Sequence, residues 1–85
     1  MSRATEVYSR EFDSVFFTLS PRVCQLIEAK IHELGSRLNG YSHHRLKGRS
    51  EYRLRAGDYR IIYEFDQQKN ILCLVTLGHR RDVYR

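Results

Sequence analysis

Apolar side chains in the first half of the chain recur with the period of an α-helix. The first stripe occupies positions i, i+3, i+4 and i+7, which are Phe12, Val15, Phe16 and Leu19. This spacing predicts a helix of about ten residues. A candidate strand at residues 3–8 precedes it.

A second helix is predicted to begin directly afterwards. Ser20 can cap its N-terminus and Pro21 suits the first helical position. An apolar stripe follows, formed by Val23, Leu26, Ile27, Ile31 and Leu34. Gly35 is predicted to end the helix. With so short a connection, we expect the two helices to form an antiparallel hairpin with one apolar face that a sheet covers.

The second half of the chain alternates with the period of a β-strand. Two runs rich in aromatic and β-branched residues, 51–56 and 59–65, meet at a turn-forming Ala-Gly-Asp sequence at residues 56–58, which predicts a β-hairpin. After a polar turn at residues 67–70, the run ILCLVTL at residues 71–77 is apolar on both faces. It predicts a central strand, which Gly78 is expected to end.

Arginines lie on this predicted hairpin in a defined pattern. Alternation places Arg53 and Arg55 on one face, opposite Tyr52 and Leu54. Arg60 is the one cation within a strongly apolar strand. Because cations are depleted from buried strands, we expect Arg60 to lie where the sheet opens toward a negatively charged group.

Charge is distributed unevenly between the two halves of this 85-residue chain, which carries a net charge of +5. Residues 1–43 hold five basic and five acidic side chains, whereas residues 44–85 hold ten basic and five acidic ones. Most cations of the second half are arginines, which bind phosphate through two hydrogen bonds at once. This pattern favours contact with nucleic acid, although a solvated basic surface is the alternative.

Length and composition indicate one domain over residues 1–85, without an apolar run that could span a membrane or form a secretory leader. Cys24 and Cys73 lie at no metal-ligand spacing, and we expect buried, reduced thiols in a cytoplasmic protein. The polar loop at residues 38–50 contains His43 and His44. Adjacent side chains point apart, which argues against a metal site there.

Three segments in their order and spacing resemble the RelE toxins within the RelE/ParE superfamily. They are LKG at residues 46–48, YRLRAGDYRIIYEF at 52–65 and LGHRRDVYR at 77–85. The resemblance implies an α+β fold, with a small antiparallel sheet, two helices on one face and a concave basic site on the other. It also implies an endoribonuclease that cleaves mRNA in the ribosomal decoding site without a metal or other cofactor. The implied partners are the ribosome and an acidic antitoxin, which binds the toxin in a hetero-oligomer.

The resemblance further implies roles for individual side chains. Arg60 and Arg80 match the family's transition-state arginines, and Tyr84 matches its C-terminal tyrosine. Arg53 and Arg55 stand where relatives carry lysines, so we assign them phosphate binding rather than proton transfer. The other expected RNA- or phosphate-binding residues are Lys47, Arg45 and Arg81. Candidates for proton transfer are His79, Tyr84 and His44.

Two other functions are open at this stage. ParE-type toxins of the same superfamily inhibit DNA gyrase, but they generally lack the complete set of arginines and tyrosine. A basic RNA-binding module without catalysis is the second alternative, which the lack of a surface aromatic pair for base stacking disfavours.

Overall fold

A computed structural model of the chain describes residues 3–79. Within them the chain forms two helices and five strands, in the order β1 (Thr5–Tyr8), α1 (Arg10–Phe16), α2 (Pro21–Ser36), β2 (His44–Arg45), β3 (Tyr52–Ala56), β4 (Tyr59–Asp66) and β5 (Ile71–His79). The strands form one sheet in the order β1-β5-β4-β3-β2. The predicted α+β class is therefore confirmed.

Helix α1 is shorter than the apolar stripe suggested. The Ser9 side chain accepts a hydrogen bond from the Phe12 N–H at 3.0 Å and caps the N-terminus. At the other end, both the N–H and the hydroxyl of Thr18 donate to the Val15 carbonyl. Because that carbonyl is satisfied within a tight turn, Leu19 lies beyond the helix rather than in it.

Helix α2 begins as predicted, with Ser20 as its N-cap and Pro21 in its first turn. Its predicted end at Gly35 is wrong, since the helix continues to Ser36. The Gly35 carbonyl instead accepts a hydrogen bond from the Ala4 N–H at 3.0 Å. The glycine therefore marks a close approach between the helix and the N-terminal segment.

The sheet is mixed rather than wholly antiparallel. β1 pairs parallel with β5, whereas the β2–β3, β3–β4 and β4–β5 pairs are antiparallel. A parallel pair requires a long connection, and here it runs through both helices and strands β2, β3 and β4. β5 is an interior strand, as its apolar sequence predicted, and the β3–β4 hairpin turns at Gly57, whose φ is +61°.

The core lies between the helices and one face of the sheet. Ile27, Ile31 and Leu34 of α2 are fully buried. On the sheet, the fully buried side chains of this core are Ala56, Ile61, Tyr63, Leu72 and Leu74. α1 packs on β5 and α2 packs on β3, so the predicted helix hairpin is not confirmed.

Two further expectations concern the cysteines and the membrane. Cys24 and Cys73 are free thiols, as predicted, but both are half-buried rather than buried. No helix within residues 3–79 is long and apolar enough to cross a membrane.

Candidate functional site

Four basic or titratable side chains project from the sheet face that the helices leave uncovered. Residues directly opposite in antiparallel strands share a face. The register pairs His44 with Arg53 and Arg55 with Arg60, while Leu54, between the two β3 arginines, is buried on the helix side. We call the face formed by His44, Arg53, Arg55 and Arg60 the basic face.

Arg60 lies at the centre of this face, in the interior strand β4. Its strand neighbours are Arg55 on β3 and Gly78 on β5. The Nε and Nη1 atoms of its guanidinium group are buried. Gly78 adds no side chain next to the Arg60 stem on the β5 side. A cation fixed in this way suits the binding of a phosphate group.

The basic face has an apolar residue at its base. Ile62 is opposite Arg53 and Thr76 in the register and is only 1% exposed, although it lies outside the main core cluster. A low local dielectric strengthens the attraction between the arginines and an anion. Neither Arg53 nor Arg55 forms an ion pair with any residue in the 3–79 range, so their charges are available to a ligand.

The last strand was predicted to end at Gly78. This is wrong, because β5 continues through His79. His79 is paired with Tyr59, and the two rings meet edge to face with their centroids 5.7 Å apart. Tyr59 packs against the core. The register therefore places His79 on the opposite face from Arg60, and its position does not support the predicted role in proton transfer.

The two adjacent histidines of the loop have different environments. His44 is exposed and belongs to the basic face. His43 points the other way and stacks on Phe65, with 4.2 Å between the ring centroids. This difference confirms that the two rings do not converge on one ligand. No group of three or more histidine, cysteine or carboxylate side chains in the described part of the chain could hold a metal ion.

His43 joins the loop to the sheet through both ring nitrogens. Nε2 lies 2.9 Å from the Leu38 carbonyl, and Nδ1 lies 2.6 Å from the Tyr63 hydroxyl. A carbonyl can only accept, so Nε2 donates to it, and in the neutral ring Nδ1 then accepts from the Tyr63 hydroxyl. Burial raises the pKa of the Tyr63 phenol, which keeps this donor protonated. Sequence reasoning missed this role. The signal that could have found it was the expectation that the two adjacent side chains point apart, since His44 was a candidate of the site.

The loop between β2 and β3 has its own hydrogen bonds. The Arg45 Nε donates to the Arg49 carbonyl at 3.1 Å, and Arg49 forms a 2.6 Å ion pair with Glu51. Arg45 lies opposite Tyr52, so it belongs to the strand face opposite Arg53. Lys47 is exposed near the tip of the loop. Arg45 and Lys47 line one cavity with His44 and Arg53, and the RNA contact predicted for them stays a prediction.

Three predicted site residues, Arg80, Arg81 and Tyr84, lie outside the described residues. Their predicted roles stay predictions. The part of the site that the structure describes is therefore the basic face and the loop beside it.

Comparison with known proteins assigns the family. The model described as "ParE toxin of type II toxin-antitoxin system, parDE" matches residues 9–84. A search of curated proteins found no match of significance. Solved structures match the fold, and we describe three of them.

The toxin–antitoxin complex RelBE2 from Mycobacterium tuberculosis contains a chain with 20% identity and a TM-score of 0.76, covering 96% of this chain and 97% of that chain. The RelE–RelB complex from Pyrococcus horikoshii OT3 gives 17% identity and a TM-score of 0.77, with coverage of 96% and 100%. The intact RelBE complex from E. coli gives 18% identity and a TM-score of 0.70, covering 89% of this chain and 95% of that chain. At these identities the likeness shows a shared fold. Together with the family match over residues 9–84, it confirms the resemblance stated above: the chain belongs to the RelE/ParE superfamily and is a toxin of a type II toxin–antitoxin system.

Proposed function

We propose that this toxin is a ribosome-dependent mRNA endonuclease. The observation that carries the proposal is the position of Arg60, a partly buried guanidinium in the middle of the uncovered sheet face, with Arg55 directly opposite. A fold needs no such pair of cations, and adjacent like charges lower its stability. A bound phosphodiester can accept hydrogen bonds from both.

The proposed reaction is attack of a ribose 2′-hydroxyl on the adjacent phosphorus. The 2′-oxygen loses its proton and forms a bond to phosphorus, the bond to the 5′-oxygen breaks, and that oxygen takes up a proton. Negative charge on the non-bridging oxygens grows toward the transition state. Arg60 and Arg80 are proposed to stabilise that charge, and Arg53 and Arg55 to bind phosphate in the ground state.

Proton transfer needs a group on the same face as Arg60. His44 is on that face, in register with Arg53, and histidines in general can accept and donate protons near neutral pH. We therefore favour His44, together with Tyr84, over His79 as the proposed acid and base. No metal or cofactor enters this scheme.

The proposed protein partners follow from charge and from the family. The RelE structures from M. tuberculosis, P. horikoshii and E. coli are of toxin–antitoxin complexes. We propose that this toxin likewise binds an acidic antitoxin, which covers the basic face in a hetero-oligomer. The single domain over residues 1–85 then acts in the cytoplasm, where ribosomes supply its substrate.

One observation favours a second candidate function. The matching family model is described as a ParE toxin, and ParE-type toxins inhibit DNA gyrase. The basic face could bind DNA or an acidic surface of that enzyme. The test must therefore measure cleavage and supercoiling side by side.

Single-turnover cleavage of a defined transcript on programmed ribosomes tests the proposal. We expect the parental toxin to cleave, and Arg60→Gln to lower the cleavage rate by about 10²–10³ if it removes transition-state stabilisation. Lys69→Gln, the same kind of charge removal in the exposed turn after β4, is the matched control and should cleave normally. Thermal unfolding of each variant verifies that it is folded.

Three outcomes contradict the proposal. If the toxin blocks gyrase supercoiling and never cleaves, it is a gyrase inhibitor. If it binds RNA without cleaving, it is a binding module. If a folded Arg60→Gln variant cleaves at the parental rate, the assignment of Arg60 fails.

A further inference from the structure

The outer edge of β3 forms a notch next to the basic face. β2 pairs with β3 only through Tyr52 and Arg53, so among residues 3–79 no strand pairs with residues 54–56 on the edge away from β4. The cavity there has a volume of about 340 Å³. Its lining residues are Lys30, Tyr41, His44, Arg53, Leu54 and Arg55.

The notch collects positive charge from two different elements. Lys30 comes from α2, and Arg53 and Arg55 come from β3. The lining contains no carboxylate, and within the described residues none of these three cations forms an ion pair. Lys30 is half-buried. Three cations with no carboxylate among them repel one another, so the notch suits an anion that arrives from outside.

The notch also offers groups that are not charged. In a hairpin with a two-residue turn, the closing pair, here Ala56 and Tyr59, is hydrogen-bonded. The next pair, Arg55 and Arg60, is then a non-hydrogen-bonded pair, so the N–H of Arg55 points away from β4 toward the notch. Tyr41 and Leu54 add apolar surface. This combination of cations, a backbone donor and an aromatic ring suits one nucleotide unit, with its phosphate on the cations.

Arg53 and Arg55 belong both to the notch and to the basic face. Arg60 lies on the neighbouring strand, and neighbouring strands are about 4.8 Å apart. A single RNA strand that crosses β3 can therefore place one phosphate at Arg60 and an adjacent phosphate in the notch. We infer that the notch is a second phosphate-binding site for the RNA chain and that Lys30 is one of its binding residues. This inference rests on the proposed function, since it takes RNA as the substrate.

Equilibrium binding of a fluorescently labelled, single-stranded RNA to the full-length toxin tests the inference. The RNA carries 2′-O-methyl groups, so it cannot be cleaved. We expect Lys30→Gln to weaken binding about tenfold, the effect of losing one charge-assisted hydrogen bond. The slope of log affinity against log salt should fall in magnitude by about one. Lys30→Arg should restore both quantities, and Lys69→Gln should leave both at the parental values.

Two results overturn the inference. One is parental affinity and salt slope in a folded Lys30→Gln variant, and the other is absence of RNA binding by the parental toxin. A merely structural role for Lys30 would lower the melting temperature without changing the salt slope. Cleavage on ribosomes is measured separately. If the toxin cleaves and its RNA binding does not depend on Lys30, the proposed nuclease function stands and the inference about the notch fails. If the toxin binds RNA through Lys30 and never cleaves, the inference about the notch stands and the proposed nuclease function fails.

Discussion

Arg55 and Arg60 occupy directly opposite positions on β3 and β4, so two guanidinium groups project side by side from the face that the helices do not cover. Like charges in opposite positions destabilise a sheet. Packing does not require the pair, because Arg55 is exposed. This is the pair to which the proposed function assigns contact with a phosphate group.

The first prediction is that Arg55 lowers the stability of the free toxin. Replacing it with threonine, which favours strands and removes the repulsion, should raise the free energy of unfolding by up to about 0.5–1 kcal/mol. Because salt screens the repulsion, added salt should stabilise the parental protein more than the variant. Urea unfolding at low and high salt measures both effects. A variant that is less stable than the parent at low salt would contradict the prediction.

The second prediction concerns the His43 contacts. His43→Ala removes the ring that stacks on Phe65 and leaves the Tyr63 hydroxyl without its acceptor, so it should cost about 2–4 kcal/mol of unfolding free energy. His44→Ala, one residue away and exposed, is the matched control and should change stability by less than about 0.5 kcal/mol. Chemical denaturation gives the unfolding free energy of both variants. Equal losses would show that His43 does not anchor the loop.

The third prediction is a loss of stability in alkali. Burial first, and the neighbouring Tyr41 and Tyr52 second, raise the pKa of Tyr63 above its ordinary value. In the unfolded chain a phenol ionises near pH 10. Above that pH the native state binds more protons than the unfolded state, so stability is complete below about pH 10 and falls as pH rises.

Tyr63→Phe removes the ionising group and should reduce this alkaline loss, even though the variant is less stable at neutral pH. Burial and the hydrogen bond to Glu6 raise the pKa of Tyr8 in the same direction. Tyr8→Phe should therefore also reduce the loss. Chemical denaturation at a series of pH values from 8 upward gives the slope of unfolding free energy against pH for each protein. A slope for Tyr63→Phe equal to that of the parent would refute the assignment to Tyr63.

The fourth prediction contrasts two glycines. A Cβ on Gly35 would meet Arg3, Glu6 and Leu72 at ordinary contact distances of 3.5–3.8 Å. Because Gly35 lies inside α2, Gly35→Ala should stabilise the protein by about 0.5–1 kcal/mol. A loss of stability would instead support the original interpretation of Gly35 as a helix terminator.

Gly57→Ala is the contrasting variant. Gly57 has a φ of +61°, and a Cβ there would lie 3.1 Å from Cδ2 of Leu26. Alanine is strained at this φ, so the substitution should cost about 1 kcal/mol or more. If Gly35 is helical and Gly57 has a positive φ, thermal unfolding should show a higher melting temperature for Gly35→Ala and a lower one for Gly57→Ala.

The sequence by itself determined those features that depend on neighbouring residues. The start of α2 follows from Ser20 and Pro21, and the β3–β4 turn follows from Gly57 and Asp58. Alternation correctly separated Arg53 and Arg55 from the buried Leu54. Local sequence suffices for these features because capping, turn geometry and the strand period are properties of a few consecutive residues.

Only the tertiary structure decided features that depend on distant segments. The parallel pairing of β1 with β5 is set by register between strands remote in sequence. The continuation of β5 past Gly78 and the face that His79 occupies are set by its pairing with β4. The environment of His43 is set in the same way, because its partners Tyr63 and Phe65 are about twenty residues away along the chain. The Lys30 notch likewise requires α2 to lie beside β3. No periodicity within one segment encodes these contacts, since they result from packing the helices on one face of the sheet and leaving the other face open.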